Sequence, residues 1–251
     1  MNNNSKWWFA FRGRWSAVIP ALFALALSLS GCGDGEKATV HFKVLATIAY
    51  QGKLITAWTV MECRYTRVEH SLTGMGGDTT LYGEALIFHV NERERFYILP
   101  YWRGKSGSLV RFWEHAVLKS IGVDNPVGQL SDQDFERMRT VRGVFPVNYF
   151  GHEPLYVRFA DEANPKSIEQ LDPNNLSKAW PGMQFQQLDI EITDEPVTEL
   201  LREQLPWLNN PSGKAGFNTY PPGKRVPIKD RPLSYIIGIP TFFGNGSLRW
   251  L

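Results

Sequence analysis

The alternation of apolar and polar positions predicts β-strands in the first half of the chain. In the first of them the apolar residues fall on every second position, at Val40, Phe42, Val44 and Ala46. A period of two is typical of a strand with one buried face. Similar patterns, separated by short turns that are polar or contain Gly, predict further strands over 54–67, 81–90 and 95–99. Four strands joined in this way indicate an antiparallel meander, as in small β-sandwiches and barrels.

The apolar spacing becomes helical in the middle of the chain. Over 109–121 the apolar residues repeat at helical spacing, with Ser108 as the expected N-cap and Gly122 as the expected residue after the helix. A second helix is predicted after Ser131, which begins a near capping box with Asp in the place of Glu. A third, amphipathic helix is predicted over 197–205, between two prolines.

The C-terminal part of the chain is predicted to wrap the domain. Residues 209–232 are rich in Pro, Gly and Asn and lead into the apolar run 233–243. We expect this run to lie in a groove of the domain and to bury Tyr235, Ile237 and Phe242. A disordered tail is the alternative, and the aromatic residues and isoleucines argue against it.

Strand signals also return over 155–159 and 188–192, after the helical part. The fold class that these patterns predict is α+β. It has an antiparallel β-meander or sandwich-like N-terminal half, two or three helices and a wrapping C-terminal extension.

The first 31 residues differ from the rest of the chain. Lys6, Arg12 and Arg14 precede an uncharged, mostly apolar run over 17–29. A cationic region followed by a short apolar one is the layout of a Sec-type secretory signal peptide. The run is shorter than the roughly 20 residues that a membrane span needs. An ordinary cleaved signal peptide and an uncleaved anchor helix are the simplest interpretations.

The end of this segment, Leu29-Ser30-Gly31-Cys32, resembles the lipobox of bacterial lipoproteins. The resemblance implies cleavage before Cys32, a diacylglyceryl group on its thiol and an acylated new amino terminus. Two or more acyl chains hold a protein on a bilayer durably. We therefore expect a lipid-anchored protein of the cell envelope that faces the periplasm. Because Gly33 rather than Asp follows the cysteine, resemblance to the usual sorting signal favours the outer over the inner membrane of a diderm.

These interpretations divide the chain into four parts. The boundaries are 1–31 for the signal peptide, 32–38 for a tether, 39–208 for a single α+β domain (strand-rich over 39–100, mixed over 101–208) and 209–251 for the C-terminal extension.

Removal of the leader changes the charge and the cysteine count. The chain has 27 basic and 25 acidic side chains, and three of the basic ones lie in the leader, so the mature chain carries 24 against 25. No cationic surface field is left, and we expect no nucleic-acid partner. With Cys32 lipidated, Cys63 is the one remaining thiol. It shares a strand face with Met61 and Tyr65, which predicts an inert core residue.

Motifs of catalysis or metal binding are missing from the sequence. The five histidines are at least nineteen residues apart, and there is no Gly-x-Ser-x-Gly elbow. Asp189 and Glu191 share one face of a predicted strand, and Asp161 and Asp172 are near in sequence. Such carboxylates can build a calcium site or an acid/base pair, whereas alternation alone explains a solvated strand face. We predict no cofactor, no metal and no catalytic residue, and these four side chains are the candidates if a site exists.

Aromatic residues on predicted loops are the other candidates for a binding site, although most aromatic side chains of a domain this size belong to its core. They are Trp102, Trp113, Trp180, Trp207 and Trp250, with Tyr101 and Tyr149.

A second resemblance lies in the segment 154–208. Its stretches PLYVRFADEANPKSIEQLDPNNL and WPGMQFQQLDIEITDEPVT resemble a pattern in uncharacterised proteobacterial lipoproteins. The resemblance implies common ancestry and supplies no activity and no catalytic residue.

The sequence thus favours a membrane-anchored, non-enzymatic module that binds a protein or an envelope component. The alternative is an envelope hydrolase that uses a carboxylate pair drawn from the four candidates. A third hypothesis is a structural assembly protein, which predicts an exposed apolar patch without a deep cleft.

Overall fold

The computed structural model describes residues 36–67, 76–209, 217 and 226–250, the side chains of 248–250 excepted. The predicted signal peptide, Cys32 and most of the stretch 209–232 lie outside the described residues. Within the described part, no helix is both long and apolar enough to span a bilayer.

The described residues form an α+β fold dominated by antiparallel strands. The strands are β1 Lys37–Tyr50, β2 Lys53–Arg67, β3 Gly77–Tyr82, β4 Leu86–His89, β5 Arg95–Ile98, β6 Tyr101–Arg103, β7 Leu109–Arg111, β8 Gly143–Pro146, β9 Tyr156–Phe159, β10 Ile168–Leu171 and β11 Gln184–Ile192. The α-helices are α1 Trp113–Ser120, α2 Asp132–Thr140 and α3 Leu201–Gln204. Short 3-10 helices occupy Val127–Gln129, Pro165–Ser167, Pro173–Lys178, Pro206–Asn209, Ile228–Asp230, Leu233–Tyr235, Ile239–Phe242 and Asn245–Trp250.

The strands make two main sheets that pack face to face. One sheet has the order β3-β2-β1-β11-β8, the other has the order β10-β9-β5-β4, and β6 and β7 form a separate ribbon. β1 begins at Lys37, two residues before the predicted start of the domain. The predicted meander is therefore present, and β11 from the second half of the chain completes the first sheet.

The hairpin of β1 and β2 follows the predicted alternation. Val40, Phe42 and Val44 are buried, while the residues between them are partly exposed. The turn places Gln51 and Gly52 at φ of 50° and 72°. Two positive φ values are the mark of a type I′ turn, whose twist matches that of the strands it joins.

The main core lies between the two sheets. The first sheet contributes one face of β1, β2 and β11, and the second contributes residues such as Phe96 and Ile98 of β5. Helix α1 packs into this core, where Trp113 is fully buried with its ring 6.2 Å from that of Phe42.

The C-terminal extension covers the other face of the four-stranded sheet. Tyr97 and Val157 point away from the main core into a second cluster, which they share with Ile237, Phe242 and Phe243. Ile237 and Phe242 are buried as predicted, whereas Tyr235 is only half-buried. The four-stranded sheet is thus buried on both faces, because the extension lies across it.

Two predicted elements begin or break elsewhere than expected. The strand predicted over 81–90 is two strands, because the chain leaves the first sheet at Gly83 and enters the second at Leu86. Gly83 has a φ of 123°, and a Cβ there would lie 2.9 Å from Cγ of Met61. The first helix begins at Trp113 rather than after Ser108, since Leu109–Arg111 pairs with β6.

The third helix is also shorter than predicted. It covers only Leu201–Gln204, and residues 193–200 have no regular structure. Thr198, which belongs to the predicted helix, instead contacts β2. Its backbone N–H donates to the carbonyl oxygen of Val60 at 3.2 Å.

Candidate functional site

A cleft lies at one side of the sandwich, between β2 of the first sheet and β4 of the second. Its volume is about 330 Å³. Five consecutive residues of β2, from Ile55 to Thr59, line one wall, and Ile87, Phe88 and His89 of β4 line the other. Because consecutive residues of a strand point to opposite faces of its sheet, the cleft lies against strand edges rather than against one face.

The main core is incompletely covered at this cleft. On β1 the inward-facing side chains of Ala46 and Ile48 are fully buried. Their neighbours across the hairpin, Ala57 and Ile55, face the same way and are only half-buried. The sandwich is therefore open to solvent at β2.

The apolar surface continues from the cleft onto the outer face of the first sheet. The side chain of Leu54 is 73% exposed and that of Trp58 is 50% exposed. The ammonium group of Lys43 lies 5.1 Å from the centre of the Trp58 ring, within the range of a cation–π contact. The two side chains thus place apolar surface beside the cleft.

Glu84 lies at one end of the cleft and is buried, with 4% of its surface exposed. Its two carboxylate oxygens accept the backbone N–H groups of Leu200 and Leu201 at 2.6 and 3.0 Å. Burial raises the pKa of this carboxyl group to about 7, although both hydrogen bonds oppose the shift. Glu84 is therefore a capping group for α3 and, near neutral pH, partly protonated.

His89 borders the opposite wall and is neutral at physiological pH. Burial and the guanidinium of Arg95 lower the pKa of its imidazole, and Arg95 donates a hydrogen bond from Nε to Nδ1 of His89 at 3.1 Å. Among the described residues that line the cleft, Glu84 and His89 are ionisable and the others are apolar or uncharged.

The four carboxylates that the sequence singled out occupy separate places. Asp189 and Glu191 share the outer face of β11, where Asp189 accepts from Nε2 of Gln187 at 2.6 Å and Glu191 lies 3.9 Å from Nζ of Lys43. Asp161 follows β9, and Asp172 follows β10. Since Phe159 pairs with Ile168 and Tyr156 with Leu171, these two carboxylates lie beyond opposite ends of the β9–β10 hairpin.

Asp161 and Asp172 also serve local turns. Asp161 accepts the backbone N–H of Ala163 at 3.0 Å. Asp172 accepts that of Asn174 at 2.9 Å and caps the 3-10 helix that begins at Pro173. In the part of the chain that the structure describes, no group of three His, Cys, Asp or Glu side chains is placed to hold a metal ion.

The predicted aromatic candidates divide between the core and the surface. Trp113 and Trp180 are buried, and Trp207 packs at the edge of the second core. Trp102 and Tyr101 are half-exposed, and the Trp102 ring stacks on His152 with 3.6 Å between ring centres. The exposed aromatic residue beside the cleft is Trp58, which the sequence analysis assigned to a strand rather than to a binding site.

Sequence reasoning thus missed the residues that make the cleft. Trp58 and Leu54 could have been noticed in the sequence. They are apolar, yet they lie on the face of β2 whose neighbours on β1 include the polar residues Lys43 and Thr47. The sequence around Glu84 gives no such indication, because the role of Glu84 depends on a contact with residues more than 110 positions further along the chain.

Comparison with known proteins adds little to this geometry. No protein-family model and no curated protein matches the chain. Among solved structures, a DUF1329 family protein from Desulfovibrio piger ATCC 29098 shows 10% identity and a TM-score of 0.12, with 74% of this chain and 98% of that chain covered. Similarity at that level carries no argument about fold or function.

Proposed function

We propose that this protein is a lipid-anchored component of the bacterial cell envelope that binds another protein and is not an enzyme. The observation that carries the proposal is the open cleft between β2 and β4, flanked by the exposed side chains of Leu54 and Trp58. Exposed aromatic and aliphatic residues around a partly open core are typical of a protein-binding surface.

The proposed anchor rests on the sequence before the described fold. The cationic leader, the apolar run and Leu29-Ser30-Gly31-Cys32 support export and lipidation of Cys32. Only residues 33–36 separate Cys32 from β1, so an anchored fold stays close to the bilayer. The proposed location is the envelope, with the outer membrane favoured by Gly33.

The hydrolase alternative finds less support. A carboxylate pair needs two acids at one site, and the four candidates instead serve neighbouring backbone or side-chain groups at separate positions. Glu84 has a suitable pKa, but both of its oxygens already accept backbone N–H groups.

Two measurements test the proposal. For the anchor, cells that express the full chain or the Cys32→Ser variant are grown with a radiolabelled fatty acid. We expect the label on the wild-type protein alone and an unprocessed precursor of the variant. Label that persists on the variant would remove the lipoprotein part of the proposal.

For the binding role, the full chain is cross-linked in intact cells and purified from membranes. We expect one partner to be enriched with the wild type and lost when Leu54 and Trp58 are both changed to Ala. Val144→Ala is the matched control, because Val144 is also apolar, 57% exposed and in the same sheet. Equal recovery from both variants would show that the cleft is not the binding surface.

A further inference from the structure

We infer that, in the anchored protein, the end of the domain where β1 begins faces the bilayer through α2, and the cleft between β2 and β4 lies on the aqueous side. The inference rests on the proposed lipid anchor at Cys32 and deepens the proposed function. Lipid headgroups are then the partner of the α2 surface, and a protein partner reaches the cleft from the aqueous side.

The covalent link between Cys32 and the fold is short. Four peptide units join Cys32 to Glu36, the first described residue, and an extended chain spans at most about 3.6 Å per residue. Glu36 therefore lies within about 14 Å of the acylated cysteine. The headgroup layer of one leaflet takes up roughly 5–8 Å of this reach. Glu36 is thus held within about 10 Å of the headgroup surface.

Helix α2 lies around the point where the chain enters the fold. Near the C-terminal end of α2, Nη2 of Arg139 donates to a carboxylate oxygen of Glu36 at 2.6 Å and to the carbonyl oxygen of Lys37 at 2.9 Å. At the N-terminal end of α2, Asp132 pairs with Arg67 at 2.6 Å, and Nη2 of Arg67 also donates to Glu36 at 3.4 Å. Both ends of the helix are thus fixed beside Glu36. A bilayer close to Glu36 is therefore also close to the exposed side of α2.

The charges beside the entry point favour the α2 end over the outer face of the first sheet. At the α2 end, acidic and basic side chains are about balanced, and Arg137, Arg139 and Arg142 are exposed in and after its last turn. On the outer sheet face the carboxylates are in excess, since Lys43 and Arg64 lie among Glu62, Asp189, Glu191 and Glu195. Lipid phosphates bind guanidinium groups and repel carboxylates. A domain that lay on this sheet face would press its excess carboxylates against the headgroups.

The cleft lies far from the α2 end along β1. Thr59 and Ile55 of its β2 wall pair with Val44 and Ile48, which follow Lys37 by seven and eleven residues. At about 3.3 Å per residue, the cleft extends from about 23 Å to about 36 Å from Lys37. With the α2 end on the bilayer, this part of the hairpin stands in the aqueous compartment. The partner is then a soluble protein, or the soluble part of one, and not a membrane-embedded segment.

The test uses a fluorophore attached at one of two exposed positions. Gln133→Cys places a thiol on α2, and Thr56→Cys places one on the outer face of the first sheet. Thr56 pairs with Thr47, ten residues along β1 from Lys37. Both variants are made in a Cys63→Ala background, and the acylated Cys32 has no thiol to label. Thermal unfolding of both variants checks that the fold is kept.

The full lipidated chains are reconstituted into vesicles of phosphatidylethanolamine and phosphatidylglycerol that carry a nitroxide on part of their headgroups. We expect the label at position 133 to lose most of its fluorescence to the nitroxide and the label at position 56 to keep most of its own, because quenching requires close approach. Equal quenching of the two labels, or stronger quenching at position 56, would overturn the inferred orientation. It would mean that the outer sheet face lies on the bilayer.

Flotation of the same vesicles separates the orientation from the anchor. We expect both labelled proteins to float with the vesicles. Proteins that float but show the reverse order of quenching would overturn the orientation and leave the anchor in place. Proteins that do not float would overturn the anchor and the orientation with it.

Discussion

Glu84 accepts the backbone N–H of Leu201 at 3.0 Å, although 117 positions separate the two residues along the chain. The same carboxylate accepts the N–H of Leu200. A helix as short as α3 has few internal hydrogen bonds, and its first N–H groups need acceptors from elsewhere. The link between β3 and β4 therefore fixes where α3 begins, and burial raises the pKa of the capping group to about 7.

This relationship predicts a stability change with pH that depends on Glu84. A carboxyl group whose folded-state pKa is raised stabilises the fold fully below the unfolded pKa, and the effect is lost as the pH rises through the folded pKa. Between about pH 4.5 and 7 the wild type should lose up to about 3 kcal/mol of unfolding free energy from this group. In Glu84→Gln that loss should be absent. Urea unfolding at pH 5 and pH 8 measures the difference.

The control for Glu84 is Glu203→Gln, which removes an exposed carboxylate of α3 itself. Its pH dependence should follow that of the wild type. If Glu84→Gln also follows the wild type, the carboxylate of Glu84 does not titrate in this range.

The elements that sequence pattern predicted well are those whose signal is local. The β1–β2 hairpin depends on a two-residue period and a Gly-containing turn. Helix α2 depends on the capping box in its first turn. Both are present, and the Ser131–Asp134 capping box forms with Asp in the place of Glu. Burial of Phe242 was also predictable, because a cluster of aromatic and aliphatic residues after a Pro-rich stretch has few alternatives to docking.

The elements that sequence pattern missed depend on distant contacts. The break at Gly83 exists because two sheets need separate strands there, and residues 193–200 leave the predicted helix because Thr198 bonds to Val60. The cleft follows the same logic. It lies where β3 no longer pairs with β2, beyond Glu62, which is a property of the sheet and not of any local stretch of sequence.

The burial of Phe242 predicts that the C-terminal extension stabilises the fold. Its ring is fully buried and lies 6.4 Å from that of Tyr97, 6.1 Å from that of Phe159 and 5.6 Å from that of Trp207. Phe242→Ala leaves a cavity among these rings and should cost about 3–5 kcal/mol of unfolding free energy. Chemical denaturation measures it.

Ile228→Ala is the comparison for Phe242, since Ile228 belongs to the same extension and is 41% exposed. It should change the unfolding free energy by less than about 1 kcal/mol. Deletion of 233–251 should be more severe than either substitution and lower the melting temperature by many degrees. A truncated chain that melts with the wild type would show that the extension is not docked in solution.

The capping box of α2 predicts a smaller, local effect. Oγ of Ser131 accepts the N–H of Asp134, and Asp134 accepts the N–H of Ser131 at 2.8 Å. Ser131→Ala leaves the N–H of Asp134 without its acceptor, removes the hydroxyl hydrogen bond to Asp134 and should cost about 1 kcal/mol. Gln133→Ala, an exposed change in the same helix, should be near neutral. Equal thermal stabilities of the two variants would argue against the cap.

The burial of Cys63 predicts that its thiol reacts slowly in the native protein. It is fully buried, in line with the sequence-based expectation, between Met61 and Tyr65 on the inner face of β2. Burial, and then the negative charge of Glu114, raise the pKa of the thiol well above its usual value. Both the lack of access and the lack of thiolate slow alkylation, because the thiolate is the nucleophile.

Alkylation of the native protein at Cys63 should therefore be slower than in urea by at least about a hundredfold, since the reagent must wait for an opening of the core. Iodoacetamide labelling followed by mass spectrometry of the Cys63 peptide gives both rates, and it is independent of the state of Cys32. Cys63→Ala provides the background, and Thr56→Cys provides an exposed thiol on the same strand. Native labelling of Cys63 as fast as that of the Thr56→Cys thiol would mean that the two sheets separate readily at β2 and that the core does not protect Cys63.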